Sequence, residues 1–329
     1  MTHPLVTAAI TAYNASETIG DALKSALLQD WPRVEILIVD DCSTDDTVAI
    51  IEAFIRDYQA PERPIRLIRM PQNGGVARAR NVFLNAAAGE FLAFFDDDDV
   101  SLPERISRQL ARIAETEEAI GHDQILCYTA RRQVHSDGKS YLEGTMGCAG
   151  DTIPSGQAIV DRILIGRTSP GILGSCATCS QMARLSVYRR LGGFDERLRR
   201  SEDTDLNIRC GLMGGAIAGV ADALVVQKMT VGTEKNLVAE LDAYTTLHDK
   251  YRSLLEKMGW YEFSVGWGNI RRAHLQSETF QALALALKLG LRHPVKMLKK
   301  LYWSLPAHGT RLRQKSWYRS AFQDAAKVS

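Results

Sequence analysis

Between residues 5 and 99 four short apolar runs alternate with segments of helical periodicity, and three of the runs end in polar clusters. Leu5 to Thr11 reads as a buried strand, and Ile19, Ala22, Leu23, Ala26 and Leu27 then recur at helical spacing after a turn at Asn14-Ala-Ser-Glu17. Val34 to Val39 is a second strand, and Val48, Ile51, Phe54 and Ile55 mark the inward face of a second helix. Ile65 to Arg69 is a third strand, the segment from Asn73 to Ala88 a third helix, and Phe91 to Phe95 a fourth strand. Such alternation predicts a Rossmann-like, mostly parallel α/β sheet flanked by helices on both faces. Ligands of such sheets bind beyond the carboxyl ends of the strands. Thr11-Ala-Tyr13, Asp40-Asp41 and Asp96 to Asp99 should therefore converge on one crevice.

The last cluster narrows the chemistry. Four aspartates follow Phe94-Phe95 without a spacer, and close carboxylates repel at a cost of order 1 kcal/mol per pair. A divalent cation, Mn²⁺ or Mg²⁺, relieves that cost, because such ions take one or two carboxylates and complete their shell with water and phosphate oxygens. An EF-hand is disfavoured, since the loop lacks the required glycine and terminal glutamate. A solvated acidic loop is the plainer alternative.

Composition excludes several classes. The 329 residues carry a net charge of +1, without the basic excess of a dedicated nucleic-acid binder. No apolar run approaches the ~20 residues that span a bilayer, and the first ten residues lack the pattern of a signal peptide, so a cytoplasmic protein is expected. Of six cysteines only Cys176-Ala-Thr-Cys179 has metal or redox spacing; with no second pair, reduced and partly buried thiols are expected.

Taken together, Thr11-Ala-Tyr13-Asn14, Val39-Asp-Asp-Cys-Ser-Thr-Asp45, Asn73-Gly-Gly-Val-Ala-Arg-Ala-Arg-Asn81, Gly89 to Asp99, Gly192-Gly-Phe-Asp-Glu196 and Ser201-Glu-Asp-Thr-Asp-Leu206 resemble the inverting family 2 glycosyltransferases, in the family's order. The resemblance spans roughly residues 5 to 215 and implies a GT-A fold, with a donor half at about 1–100 and an acceptor half at about 101–233. A helical, basic C-terminal region (234–329) would follow. It also implies a nucleotide-sugar donor, most often a UDP-sugar, and a glycan or lipid-linked saccharide acceptor.

Residue by residue, the resemblance implies that Thr11, Tyr13 and Asp41 hold the nucleobase, with Asp40 close by. Arg80 would approach the donor phosphates or brace the aspartates. Asp97 would reach the ribose or donor sugar, Asp98 and Asp96 would serve the metal, and Asp99 reads only as a cap for the helix starting near Leu102-Pro103-Glu104. Asp203 is the implied general base, beside Glu202 on the acceptor side; an acidic helix start is the plainer reading of that pair. Phe194 and Asp195 either frame the acceptor or form a structural turn. Where many relatives carry a histidine, Val226 to Asn236 has none, leaving Lys228 or Lys235 as candidate phosphate contacts.

A sugar-phosphate nucleotidyltransferase would need a glycine-rich basic loop after the first strand, where Thr11-Ala-Tyr-Asn-Ala15 stands instead. A non-catalytic nucleotide-sugar or glycan-binding module remains a third reading.

The C-terminal region has a character of its own. Glu234 to Lys257 reads as a polar helix, and Ser277 to Leu305 as helices broken near Gly290 and His293-Pro294. Leu283, Leu287, Leu291, Leu298, Leu301 and Leu305 fall near one stripe among Lys288, Arg292, Lys296, Lys299, Lys300, Arg311, Arg313, Lys315 and Arg319, with Trp303 and Trp317 nearby. Two readings stay open: peripheral contact with an anionic membrane, or packing on the catalytic domain or a second subunit.

Overall fold

The computed structural model describes residues 3–148, 152–169, 171–229 and 237–305. Its first half follows the sequence pattern: β1 (Val6–Ala12), α1 (Ile19–Leu27), β2 (Val34–Asp40), α2 (Thr47–Tyr58), β3 (Ile65–Arg69), α3 (Val76–Ala86) and β4 (Phe91–Asp96). β1 lies parallel to both β2 and β4, and β2 parallel to β3.

Strand side chains alternate between faces, so each strand feeds two cores. Val6, Ala8 and Ile10 join Ile36, Ile38, Ala93 and Phe95 beneath α1 and α2. Ala9, Leu37, Val39, Leu92 and Phe94 face the other way, toward Phe83 and Leu84 of α3. Both faces being covered explains why these strands read as continuous apolar runs.

The second half is mixed. β5 (Val100–Ser101), α4 (Arg105–Ile120), β6 (Ile125–His135), β7 (Ser140–Glu143), α5 (Gln157–Leu164), β8 (Gln181–Arg184), α6 (Leu185–Arg190), α7 (Glu202–Leu212) and β9 (Ala216–Met229) complete it. The strand order is β3-β2-β1-β4-β8-β6-β9-β5, with β7 on β6. β8 runs antiparallel to β4 and β6, whereas β6 and β9 are parallel.

Four more helices follow, α8 (Leu237–Lys250), α9 (Arg252–Lys257), α10 (Tyr261–Leu275) and α11 (Thr279–Arg292), and residues 294–305 are helical again. The expected single helix to Lys257 is thus interrupted at Tyr251, whose ring is buried and whose hydroxyl donates to Asp205. α10 was not expected at all. Of the expected breaks, the one near Gly290 is absent, since α11 runs through it, and the chain breaks at His293, before Pro294, a residue that disfavours helix in its predecessor. Leu247, Tyr251 and Leu255 pack with Val160, Leu164 and Ile208, tying these helices to α5 and α7. Lys235, Arg311, Arg313, Lys315, Trp317 and Arg319 lie outside the described residues.

Candidate active site

Pairing levels the carboxyl ends of the first strands. Thr11 stands opposite both Val39 and Asp96, and Ala12 opposite Asp40. The polar clusters therefore meet, as expected, in a crevice of about 410 Å³ lined by Thr11, Tyr13, Asp41, Arg80 and Asp96 to Asp98. Asn73, Gly75, Val76 and Ala79, to which the sequence reading gave no role, complete its wall.

Two carboxylates build the crevice rather than merely face it. The Asp41 oxygens accept the backbone N–H groups of Gly74 and Gly75 at 2.7 and 2.8 Å. Gly75 has φ +82° and ψ 163°, a conformation essentially reserved for glycine. Asp97 accepts the Tyr13 N–H at 2.9 Å, which joins the ends of β1 and β4 and leaves the Tyr13 ring 48 % exposed at the rim. Asp45, which the sequence reading gave no role, accepts from Thr47 and from the Ser16 N–H, so the loops after β1 and β2 hold each other. Asn14 and Cys42, both at positive φ, lie in these same loops.

Asp40 is placed differently from its neighbour. It is buried, accepts the Ser43 N–H at 3.1 Å and does not line the crevice. It shapes the turn from which Asp41 projects.

Beyond Phe95 the acids crowd. Burial, followed by Asp96 and Asp98, pushes Asp97 up to about 7. Burial and Asp96 raise Asp98 too. Asp99 does not cap α4, whose N-cap is Glu104. It turns inward instead and accepts the Lys228 N–H at 3.2 Å, beside the Cys179 thiol. Burial, Asp96 and Asp98 push it up to about 7. Beneath the cluster lies Arg105, fully buried, donating to the Phe94 carbonyl at 2.7 Å and stacked 4.5 Å from the Phe95 ring.

This donor set fits a hard divalent cation. Asp96 and Asp98 present carboxylate oxygens to the crevice, in an environment that penalises their combined charge. Behind them Asp96, Asp99 and Cys179 bring ligand atoms within 4.8 Å of one another. Burial holds the Cys179 thiol far above its ordinary range, and a hard cation prefers the carboxylate oxygens to its sulfur. All six cysteines are free, as expected.

Arg80 connects this crevice to the second half. It projects from α3, is 5 % exposed and pairs with Glu202 at 2.5 Å and Asp96 at 3.4 Å. Its guanidinium lies 5.8 Å from the Phe94 ring and 5.6 Å from that of Phe194. Burial opposes its charge, but Asp96, Glu202 and Asp203 outweigh that and raise its pKa. Arg80 thus pairs with Asp96, as one of its two expected placements has it, and it also lines the crevice. Glu202, raised by burial and by Asp203, is committed to this pair.

Asp203 lies on the far side, in a second cavity of about 580 Å³. Its Oδ1 accepts from the Thr204 N–H at 2.6 Å and from the Thr204 hydroxyl at 3.1 Å. Arg199, Arg200, Tyr244, Leu247 and Arg271 line the same cavity, and Val76 belongs to both. His248 lies there too, but its ring nitrogens sit against the carbonyls of Tyr244 and Leu164. Ser201, which precedes the acidic pair, holds φ +63°, a strain of the kind found at functional sites.

Phe194 and Asp195 line neither cavity. Phe194 is a core residue beneath Arg80, between Phe94 and Tyr188. Asp195 pairs with Arg197 and Lys250, which hold its carboxyl well below the usual range. Their packing and pairing are those of a structural turn. The Lys228 ammonium, a candidate phosphate contact, pairs with Asp21 at 3.0 Å.

Comparison with known proteins agrees with this geometry. Residues 7–192 match Glycosyl transferase family 2. The chain is 42 % identical over 108 residues to the UDP-Glc:alpha-D-GlcNAc-diphosphoundecaprenol beta-1,3-glucosyltransferase WfaP of Escherichia coli, covering 32 % of this chain and 40 % of that one. Matches to the other similar curated relatives cover 30 % to 66 % of those proteins' length. Among solved structures, S. aureus TarS 1-349 in complex with UDP-GlcNAc superposes with a TM-score of 0.58 at 21 % identity, covering 90 % of this chain and 79 % of that one. Mannosyltransferase PcManGT from Pyrobaculum calidifontis, in complex with GDP-Man and Mn²⁺, gives 0.58 at 17 %, covering 93 % and 87 %. At such identities the likeness concerns the fold, which is GT-A. With a family match across more than half its length and the strand-end acids of such a fold, the chain belongs to glycosyl transferase family 2.

Proposed function

We propose that the protein moves a sugar, with inversion, from a nucleotide-sugar donor to a hydroxyl of a glycan or lipid-linked saccharide in cell-surface polysaccharide synthesis. The observation that carries this reading is the pair of cavities sharing Val76, one ringed by strand-end acids and one holding Asp203. A donor bridging the first would present its anomeric carbon toward the second.

In this reading Tyr13, Thr11 and Asp41 receive the base, and Asp97 the ribose or sugar. UDP is the donor nucleotide we favour, in line with the UDP-Glc and UDP-GlcNAc in the names of WfaP and the TarS complex. Asp98 and Asp96 would hold Mn²⁺ or Mg²⁺, the former present with PcManGT. Such an ion supplies offsetting charge for the departing diphosphate when bound. Asp203 takes the proton of the acceptor hydroxyl as its oxygen bonds to the anomeric carbon and the nucleoside diphosphate leaves from the opposite face. Arg80 draws Glu202 away from that role and leaves Asp203 as the base. Arg199, Arg200 and Arg271 on the wall suit an acceptor that carries phosphate, such as a saccharide on a lipid diphosphate. The reaction belongs on the cytoplasmic side, at the inner face of the membrane.

Asp203→Asn tests the assignment. It is expected to lower kcat by at least about a hundredfold while UDP affinity stays within about twofold. Unchanged turnover in D203N would remove Asp203 from the chemistry. Donor binding with no turnover in the parent protein, across phosphate-bearing and neutral saccharides, would instead favour a binding module.

A further inference from the structure

The last two described helices are fixed on one side and bare on the other. On the inner side Leu289 of α11 is buried, in a region where Gly266 of α10 leaves room for its side chain. In the 294–305 helix, Lys296 donates to the Gly259 carbonyl, Lys300 to that of Ile165, and the Trp303 ring lies 5.5 Å from Trp260. The docking is therefore specific, and it orients the opposite face outward.

That face is apolar. Phe280, Leu283, Leu287 and Leu291 of α11 are 64–91 % exposed, at spacings of three and four residues. Val295, Leu298, Tyr302 and Leu305 continue the row on the next helix at 62–70 %. Proteins that work free in water rarely leave so many large side chains in one contiguous patch. No described helix is long and apolar enough to cross a membrane.

The charge around the row chooses the occupant. Residues 279–305 contain no aspartate or glutamate, and Lys288, Arg292 and Lys299 stand exposed beside the leucines. Arg292 is shared with Glu262, whereas Lys288 and Lys299 have no acidic partner among the described residues. A second copy meeting this patch about a twofold axis would set the same cations against one another. An anionic lipid surface takes the leucines and the lysines at once.

We propose that the face formed by α11 and the 294–305 helix seats the protein on an anionic bilayer, leucines in the acyl boundary and lysines among the headgroups. α10, which packs on α11, also carries Arg271 to the Asp203 cavity. The seat thus lies one helix layer from the proposed acceptor site. The inference rests on the surface alone and stands apart from the proposed reaction.

Flotation of the full chain with phosphatidylcholine vesicles, with and without phosphatidylglycerol, tests it. The protein is expected to float only with the anionic vesicles and to be released by salt. Leu283→Ser/Leu287→Ser/Leu298→Ser and, separately, Lys288→Glu/Lys299→Glu should each weaken partition about tenfold or more, with Tm and UDP binding unchanged. No flotation overturns the proposal, as does flotation that neither variant weakens. Sedimentation showing a dimer that the leucine variant dissolves, without lipid binding, would give the face to a second copy. Lipid binding that appears only after removal of residues 306–329 would give it to the chain's own C-terminus.

Discussion

Arg80 concentrates the electrostatics of the molecule in one side chain. Its buried guanidinium neutralises Glu202 from α7 and Asp96 from β4, groups 106 positions apart in the chain, and so fastens the two halves. Removing one partner of a buried pair leaves the other charge desolvated and unmatched, which commonly costs about 3–5 kcal/mol. Arg80→Ala is therefore expected to lower stability by that order in urea unfolding and to lower turnover as well. If its stability stays within about 0.5 kcal/mol of the parent, Arg80 is not a structural tie. The sequence left the choice between phosphate contact and brace open, because an arginine in a helix declares its charge but not its partners. Phe194 was ambiguous for the same reason: an aromatic residue after two glycines suits an acceptor-framing loop or a structural turn, and its packing against Phe94 and Tyr188 is written only in three dimensions.

Among the elements, the 294–305 helix carries an internal opposition. Its Lys300 is largely buried, with its ammonium on the Ile165 carbonyl. Burial first, then Arg162 and Arg271, lower its pKa from 10.5 to about 8. A lysine with a lowered folded pKa is disfavoured while protonated. Between about pH 8 and 10.5 the unfolded chain holds the proton and the folded chain does not, so stability attributable to this residue rises with pH. Lys300→Met removes that dependence. The variant should be more stable than the parent near pH 7, by on the order of 1 kcal/mol, and the gap should shrink as pH approaches 10.5. A gap that widens with pH would mean Lys300 stabilises the docked helix. Helix existence here was readable from periodicity, but α10 was missed. Its face is dotted with Gly266 and Gly268, which admit Leu289 of α11 and Tyr244 of α8, and a tertiary fit of this kind leaves a weak periodic signal.

For the whole molecule, the proposed use of the crevice acids would make cation and nucleotide interdependent. Thermal-shift measurements should show little effect of UDP alone and a clear rise in Tm with UDP and Mn²⁺ together. Stabilisation of about 2.7 kcal/mol is expected at a hundredfold excess over Kd. Chelation should reverse it. An equal shift with and without metal would detach the aspartates from diphosphate binding.

What the sequence determined by itself was the first half of the sheet. Short continuous apolar runs and period-3.6 hydrophobicity set β1 to β4 and α1 to α3 nearly to the residue, and parallel topology then forced Thr11, Asp41 and Asp96 to one edge. Those signals are local, each written within a dozen residues. The second half depends on β8 entering antiparallel between β4 and β6, and on α8 and α10 closing a cavity around Asp203. Such contacts join residues far apart in the chain, and pairing of that kind is chosen by three-dimensional fit. Asp99 is the plainest case: its chain position suited a helix cap, and only the approach of β9 turned it inward onto Lys228.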